Sequence, residues 1–130
     1  MNPWEGAGQA GGVDTRLGEQ LARFLDLAAS QAKLAAANMA NIDTPGYRTL
    51  GMDFESAMKN ALSEVEEGRP AGPVPLGNVD GLIARPDGND VSMDRESLQL
   101  AEAQLRFKAG ISLLHLEYQK INDAIHADAK

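Results

Sequence analysis

Residues 92–127 read SMDRESLQLAEAQLRFKAGISLLHLEYQKINDAIHA, and the fold turns on them. Met93, Ser97, Leu100, Gln104, Phe107, Ile111, Leu114, Tyr118, Ile121 and Ile125 follow one another at alternating steps of 4 and 3, the heptad seam of a helix that packs along another helix. Gly110 is the one weak helix former in the run. A helix over 92–127 is about 54 Å long at 1.5 Å per residue, which is long for a chain of 130 residues.

A partner seam lies near the other end. Leu17, Leu21, Phe24, Ala28, Gln31, Ala35, Asn38 and Ile42 repeat the same steps, with Leu27 and Leu34 widening the stripe. Seven alanines between Ala28 and Ala40 favour helix and add little bulk, so a second helix can approach closely. Asp14 is the expected N-cap, and the helix is expected over 14–41. It stops there because Pro45 disfavours the α conformation at Thr44, and Pro45-Gly46 suits the centre of a type II turn, placing a turn at 43–48.

Between the two seams, Phe54, Ala57, Met58, Ala61, Leu62 and Val65 fall at helical spacing behind Asp53, which predicts a short amphipathic helix over 53–66. Residues 68–91 are broken by Gly68, Pro70, Gly72, Pro73, Pro75, Gly77, Gly81, Pro86 and Gly88, so a loop is expected, with Val79–Ala84 as a candidate short strand. Residues 1–13 are glycine-rich and bury little, and read as a flexible tail ahead of a single helical unit, 14–130. The expected fold is therefore all-α: long N- and C-terminal helices paired as a coiled-coil-like hairpin, a short middle helix, and a long Pro/Gly-rich loop.

Composition narrows the function. A net charge of −7 repels phosphate backbones and anionic lipid, so neither nucleic acid nor a membrane surface is an expected partner. There is no cysteine, which removes disulfides, thiolate catalysis and Cys-based metal sites. The opening MNPWEGAGQAGG lacks the basic and apolar regions of a cleavable secretory signal. Gly6, Gly8 and Gly11 fit a G-x-G-x-x-G pattern, but no strand precedes them as dinucleotide binding requires. Asp87-Gly88-Asn89-Asp90 opens like a calcium loop, yet Val91 stands at the fifth position and Leu98 at the twelfth, where ligands are needed.

His115 and His126 have no acidic residue at metal-ligand spacing, and Glu64, Glu66 and Glu67 read as a solvated run. No G-x-S-x-G is present. No catalytic, cofactor-binding or metal-ligating residue is assigned, and no enzyme is expected.

More apolar surface is present than one hairpin covers. Leu98 and Leu105 lie on a flank of the C-terminal seam, and Leu113 and Leu116 on other faces. The 53–66 helix is too short to shield a rod of about 54 Å. Neighbouring molecules are the expected cover, and these four leucines the candidate inter-subunit contacts. A three-helix bundle completed by the middle helix is the bland alternative. Gln31, Asn38 and Gln104 interrupt the seams with amides that set register or mark frayed ends.

The run Ala37-Asn38-Met39-Ala40-Asn41-Ile42-Asp43-Thr44-Pro45-Gly46-Tyr47-Arg48 resembles the N-terminal signature of the bacterial flagellar axial proteins, which build rod and hook. Residues Asp87–Asp94 followed by Leu100–Phe107 are similar to the basal-body rod proteins of the proximal rod within that family. Met39, Ala103 and Phe107 depart from the family's usual Ile, Asn and Tyr.

The resemblance implies a non-enzymatic subunit of a hollow drive shaft in the periplasm, exported by the flagellar type III apparatus without signal cleavage. It also implies contact with other copies, with other rod proteins and with the basal-body adaptor at the export gate. Asn38, Asn41, Thr44, Pro45, Gly46 and Tyr47 match the family motif, either as an internal cap of the helix end or as a contact with a neighbouring subunit. A soluble helical adaptor or export chaperone with an exposed apolar face is the competing reading.

Overall fold

A computed structural model describes residues 12–128. Three helices make up most of it: α1 Gly12–Ala40, α2 Phe54–Glu66 and α3 Met93–Asp128. Two short strands, β1 Leu50–Gly51 and β2 Gly77–Asn78, pair antiparallel, with Leu50 opposite Asn78. The fold is all-α, with α1 and α3 packed together along their length.

α1 begins at Gly12, two residues before Asp14, so the expected N-cap position lies within the first helical turn. Residues 12 and 13 of the expected tail are thus helical, and residues 1–11 lie outside the described residues. At its other end α1 closes at Ala40, and the turn that follows carries a Tyr47 N–H to Thr44 O bond with Gly46 at φ 75°. That left-handed position is one only glycine takes without strain.

α2 has its caps at both ends. The Asp53 carboxylate accepts from Ser56 N–H at 3.1 Å. Gly68, at φ 69°, donates to Val65 O, and Arg69 N–H reaches back to Glu64 O, closing the last turn as a Schellman motif. The expected strand at 79–84 is not formed. The chain pairs instead at Gly77–Asn78, where the missing side chain of Gly51 leaves room for Val79: a Cβ at Gly51 falls 2.7 Å from Val79 Cγ2.

α1 and α3 run antiparallel. Leu21, Ala28 and Ala35 are buried on α1, with Phe24 half-buried between them and Leu17 exposed near the end. The packed line of α3 is rotated from the periodic seam. Glu96, Ala103, Gly110 and Glu117, seven residues apart, are buried, while Leu100, Leu114 and Ile121 are half-buried. Phe107, Ile111 and Tyr118 are exposed, Tyr118 by 64%.

Small residues account for the rotation. A Cβ at Gly110 lies 2.7 Å from Leu25 Cδ2 and 3.0 Å from Phe24 Cδ1, so the helices approach as closely as glycine allows. Larger side chains at positions 103 and 110 would force them apart, and Phe107 and Ile111 are turned outward.

On its other side α1 carries α2. Leu27, Ala57 and Ala61 form the centre of that contact, with Met52, Phe54, Met58 and Val74 packed around it. Arg23 pairs with Glu64 at 3.0 Å, and Gly72 N–H donates to the same carboxylate oxygen at 2.8 Å. The Gly72 N–H and the Arg23 guanidinium hold Glu64 below its ordinary carboxylate pKa.

Candidate functional site

The end of α1 is tied down by a polar clasp built from three segments. Asn38, 1% exposed, spends its whole amide. Its Nδ2 donates to Leu50 O at 2.8 Å and to Glu96 Oε2 at 3.1 Å, and its Oδ1 accepts from the Tyr47 hydroxyl at 2.8 Å and from Leu50 N–H at 3.2 Å. One side chain thus joins α1, the turn after it, β1 and the first turn of α3. Glu96 is buried and its other oxygen accepts from Arg95. Burial pushes the Tyr47 hydroxyl pKa up, and the nearby Glu96 and Asp90 add to the shift, so the hydroxyl stays a donor.

Residues 85–91 close the clasp from outside. Asn89 is fully buried, and its Nδ2 donates to both Asn41 O and Thr44 O at 2.8 Å. Its Oδ1 accepts from Val91 N–H at 2.9 Å and from Arg85 Nη2 at 2.8 Å. Arg85 also donates to Val91 O at 3.0 Å and to Ile42 O. Two turns stack here: Gly46 N–H donates to Asp87 O at 2.8 Å, and a Cβ at Gly88 meets Gly46 Cα at 3.4 Å.

Asp90 completes the tie. Its Oδ1 accepts from Thr49 N–H at 2.6 Å and its Oδ2 from Arg48 Nε at 3.3 Å. Burial opposes its charge, but the hydrogen bonds from Thr49 and Arg48 outweigh that, and its pKa lies below the ordinary value.

The clasp gathers the six motif residues unevenly. Asn38 is its centre and Tyr47 is half-buried against it. Asn41 donates to Ala37 O at 2.8 Å and accepts from Thr44 Oγ1 at 3.0 Å, closing the helix end locally. The side chains of Thr44 and Pro45, with Gly46, lie exposed on the rim. Arg85 and Glu96 are participants that the sequence pattern does not single out, and Asn89 and Asp90, noted there within the Asp87–Asp94 run, carry no sign of this role. Gly88 and the run of short polar residues around it mark a turn, but nothing local tells that the turn caps a helix more than forty residues away.

The seam amides divide. Gln31 is buried, donating to Gln99 Oε1 at 3.0 Å and accepting from Arg106 Nη1 at 2.7 Å, while Gln104 is exposed. Arg106 also lies over the Phe54 ring, 4.0 Å from its centre, and Phe54 meets Phe24 edge to face at 5.6 Å. These contacts bind α2 to both long helices.

The remainder of α3 is open. Leu98, Leu105, Leu113 and Leu116 are 58%, 71%, 52% and 53% exposed, and with Phe107, Ile111 and Tyr118 they leave apolar side chains on two sides of the helix that α1 does not cover, separated by the exposed Ala101, Lys108, Ser112 and His115. Single exposed leucines are ordinary on a protein surface; rows of them along one helix mark a surface that meets other molecules.

No family model matches the chain. Among curated proteins it is 35% identical over 108 residues to the flagellar basal body rod protein FlgB of Salmonella typhimurium, covering 69% of this chain and 78% of that relative. It is 31% identical over 111 residues to the protein of the same name from Yersinia enterocolitica, covering 69% and 79%. To that of Cereibacter sphaeroides it is 27% identical over 117 residues, covering 82% and 91%.

Proposed function

Since the chain belongs to the family of flagellar basal body rod proteins named FlgB, we propose that it forms the proximal part of the rod, polymerising through its paired terminal helices into a hollow drive shaft. It is a structural subunit of the flagellar basal body rod and resides there. Its work in this reading is assembly, with no chemical step.

The observation that carries the proposal is the exposure of Leu98, Leu105, Leu113 and Leu116 on one helix. Removing a large apolar side chain from water contributes about 1.5–3 kcal/mol, so copies that stack α3 against neighbours gain what a single molecule forgoes. The clasp serves this role by fixing the relative position of the two long helices, so that every copy presents the same faces. The six motif residues act in this reading through the clasp and its exposed rim.

The partners are other copies and other rod components, and, more specifically, the adaptor at the export gate below. The subunit reaches the periplasm through the flagellar type III export apparatus without cleavage. The resemblance in residues 37–48 and 87–107 supports these assignments.

Purified basal bodies test the reading. The chain is expected in the rod fraction that remains when outer rings and hook are stripped away, and cells lacking it are expected to be non-motile with no rod beyond the export gate. A soluble cytoplasmic pool with intact rods in its absence overturns the proposal and favours the adaptor.

A further inference from the structure

The periodic seam of α3 has an open side. Gln104, Phe107 and Lys108 of α3 and Ala28, Ala29 and Ala32 of α1 line an open groove of about 490 Å³ over Ala103, and the helical spacing carries the same two faces on to Leu100, Ile111 and Tyr118 of α3 and to Leu25 and Ala36 of α1. α2 lies across the opposite side of α1, against Arg23, Leu27 and Ser30. The groove is therefore a two-helix floor with the place of a third helix empty. On the back of α3, away from α1, Leu98, Leu105 and Leu116 form a ridge, Leu116 sharing the face of the other two instead of lying on the different face expected for it.

We propose that the groove receives the Leu98–Leu105–Leu116 ridge of a second copy of this chain, repeated head to tail. The inference rests on the rod reading and names the surfaces through which it operates.

Charge points to a second copy as occupant. The chain carries −7, so two copies repel over most of their surfaces. Arg23 and Arg106 are turned to the other side, toward Glu64 and Phe54 of α2, which leaves the groove lining with a single charge, a positive one. Lys108 lines the groove, while Asp94 and Glu102 stand one turn either side of Leu98 on the ridge, so the docked pair brings opposite charges together.

Area sets the form of the assembly. From Leu100 to Tyr118 the groove runs about 27 Å, and a helix about 10 Å across covers a few hundred Å² of it. A stable pair needs roughly 800 Å² per partner. One docking event therefore does not hold a dimer. Ridge and groove occupy different faces, so the contact is heterologous, each docked copy leaves a free ridge or groove for the next, and stability accrues as further copies add. The isolated chain is monomeric when dilute and grows on an existing end.

The absence of native cysteine gives a clean test. Two singly substituted full-length chains are co-expressed in cells lacking the native copy and treated with a mild oxidant: Ala32→Cys with Leu105→Cys, and separately Leu25→Cys with Leu98→Cys, the two pairs being seven residues apart on both helices. A mixed disulfide dimer is expected in both pairs, at least tenfold above that of Ala32→Cys with Ile83→Cys on the loop. Absence of the mixed dimer in both pairs, or its replacement by Ala32→Cys homodimers, overturns the docking. Swimming restored by the unsubstituted chain decides the rod reading separately: restored swimming without mixed dimers leaves that reading standing, and failure to restore swimming removes both.

Discussion

Asn89 caps a helix to which it is not joined: its Nδ2 donates to Asn41 O and Thr44 O, both at 2.8 Å, from a loop 48 and 45 residues further along the chain. The C-terminal carbonyls of a helix have no intrahelical donors, and here the donor comes from the segment that leads into α3. The end of α1 and the segment leading into α3 are thereby joined.

Asn89→Ala removes four hydrogen bonds from a site with no exposure. Each buried bond contributes about 1 kcal/mol net, and partners left unsatisfied cost more. A loss of about 2–4 kcal/mol is expected, read as a lower urea midpoint with the slope unchanged. Asn89→Asp is expected to fare no better, because a carboxylate has no proton to give the two carbonyls at neutral pH. A midpoint within error of wild type in the alanine variant contradicts the capping role.

Asp90 makes the clasp sensitive to acid. Its folded-state pKa is depressed by the Thr49 and Arg48 hydrogen bonds despite burial, so the folded state binds its proton more weakly than the unfolded chain does. The stabilisation is complete above the unfolded value of about 3.9 and is lost as pH falls through the lower folded value. Asp90→Asn is expected to be less stable than wild type at pH 7 and to close that gap as pH drops below about 4. Parallel stability curves for the two proteins between pH 7 and pH 3 contradict it.

At Gly110 two effects oppose each other. Gly110→Ala gains up to about 1 kcal/mol of helix propensity, but sets a methyl 2.7 Å from Leu25 Cδ2 and 3.0 Å from Phe24 Cδ1. Overpacking costs about 1–3 kcal/mol. Leu25 is only half-buried and its end can turn aside, so a net change within about 1 kcal/mol is expected. Gly110→Ile adds bulk that no rotamer of Leu25 accommodates, and is expected to cost about 3 kcal/mol. Thermal melts of the two variants separate the outcomes, and an isoleucine variant as stable as wild type shows that the helices are not in close approach there.

These positions also show what a sequence can and cannot reveal. The three helices and their pairing follow from the 4,3 spacing of apolar residues and from Pro45, Gly68 and the breakers of 68–91, all of which act locally. The face that α3 turns to α1 does not follow, because Ala103 and Gly110 carry no hydrophobic signal; they matter for the space they leave. The clasp is hidden for a different reason. Asn38 to Glu96, Arg85 to Ile42 and Asp90 to Thr49 join residues more than forty positions apart, and single polar residues in a turn do not announce distant partners.

Leu105 and Leu113 separate folding from assembly. Both are more than half exposed, so Leu105→Asp and Leu113→Asp leave the α1–α3 packing and the clasp untouched, and a carboxylate at either position stays solvated in the free subunit. In a stacked array the same carboxylate is buried against a neighbour, where an unpaired charge is strongly unfavourable. Each variant is therefore expected to match the wild-type urea midpoint closely and to be exported at normal levels, yet to leave cells unable to swim. Leu105→Met, which keeps the apolar contact, is expected to swim. Normal swimming in both aspartate variants contradicts burial of these faces between subunits, and loss of export or of folded protein shows instead that the leucines act before assembly.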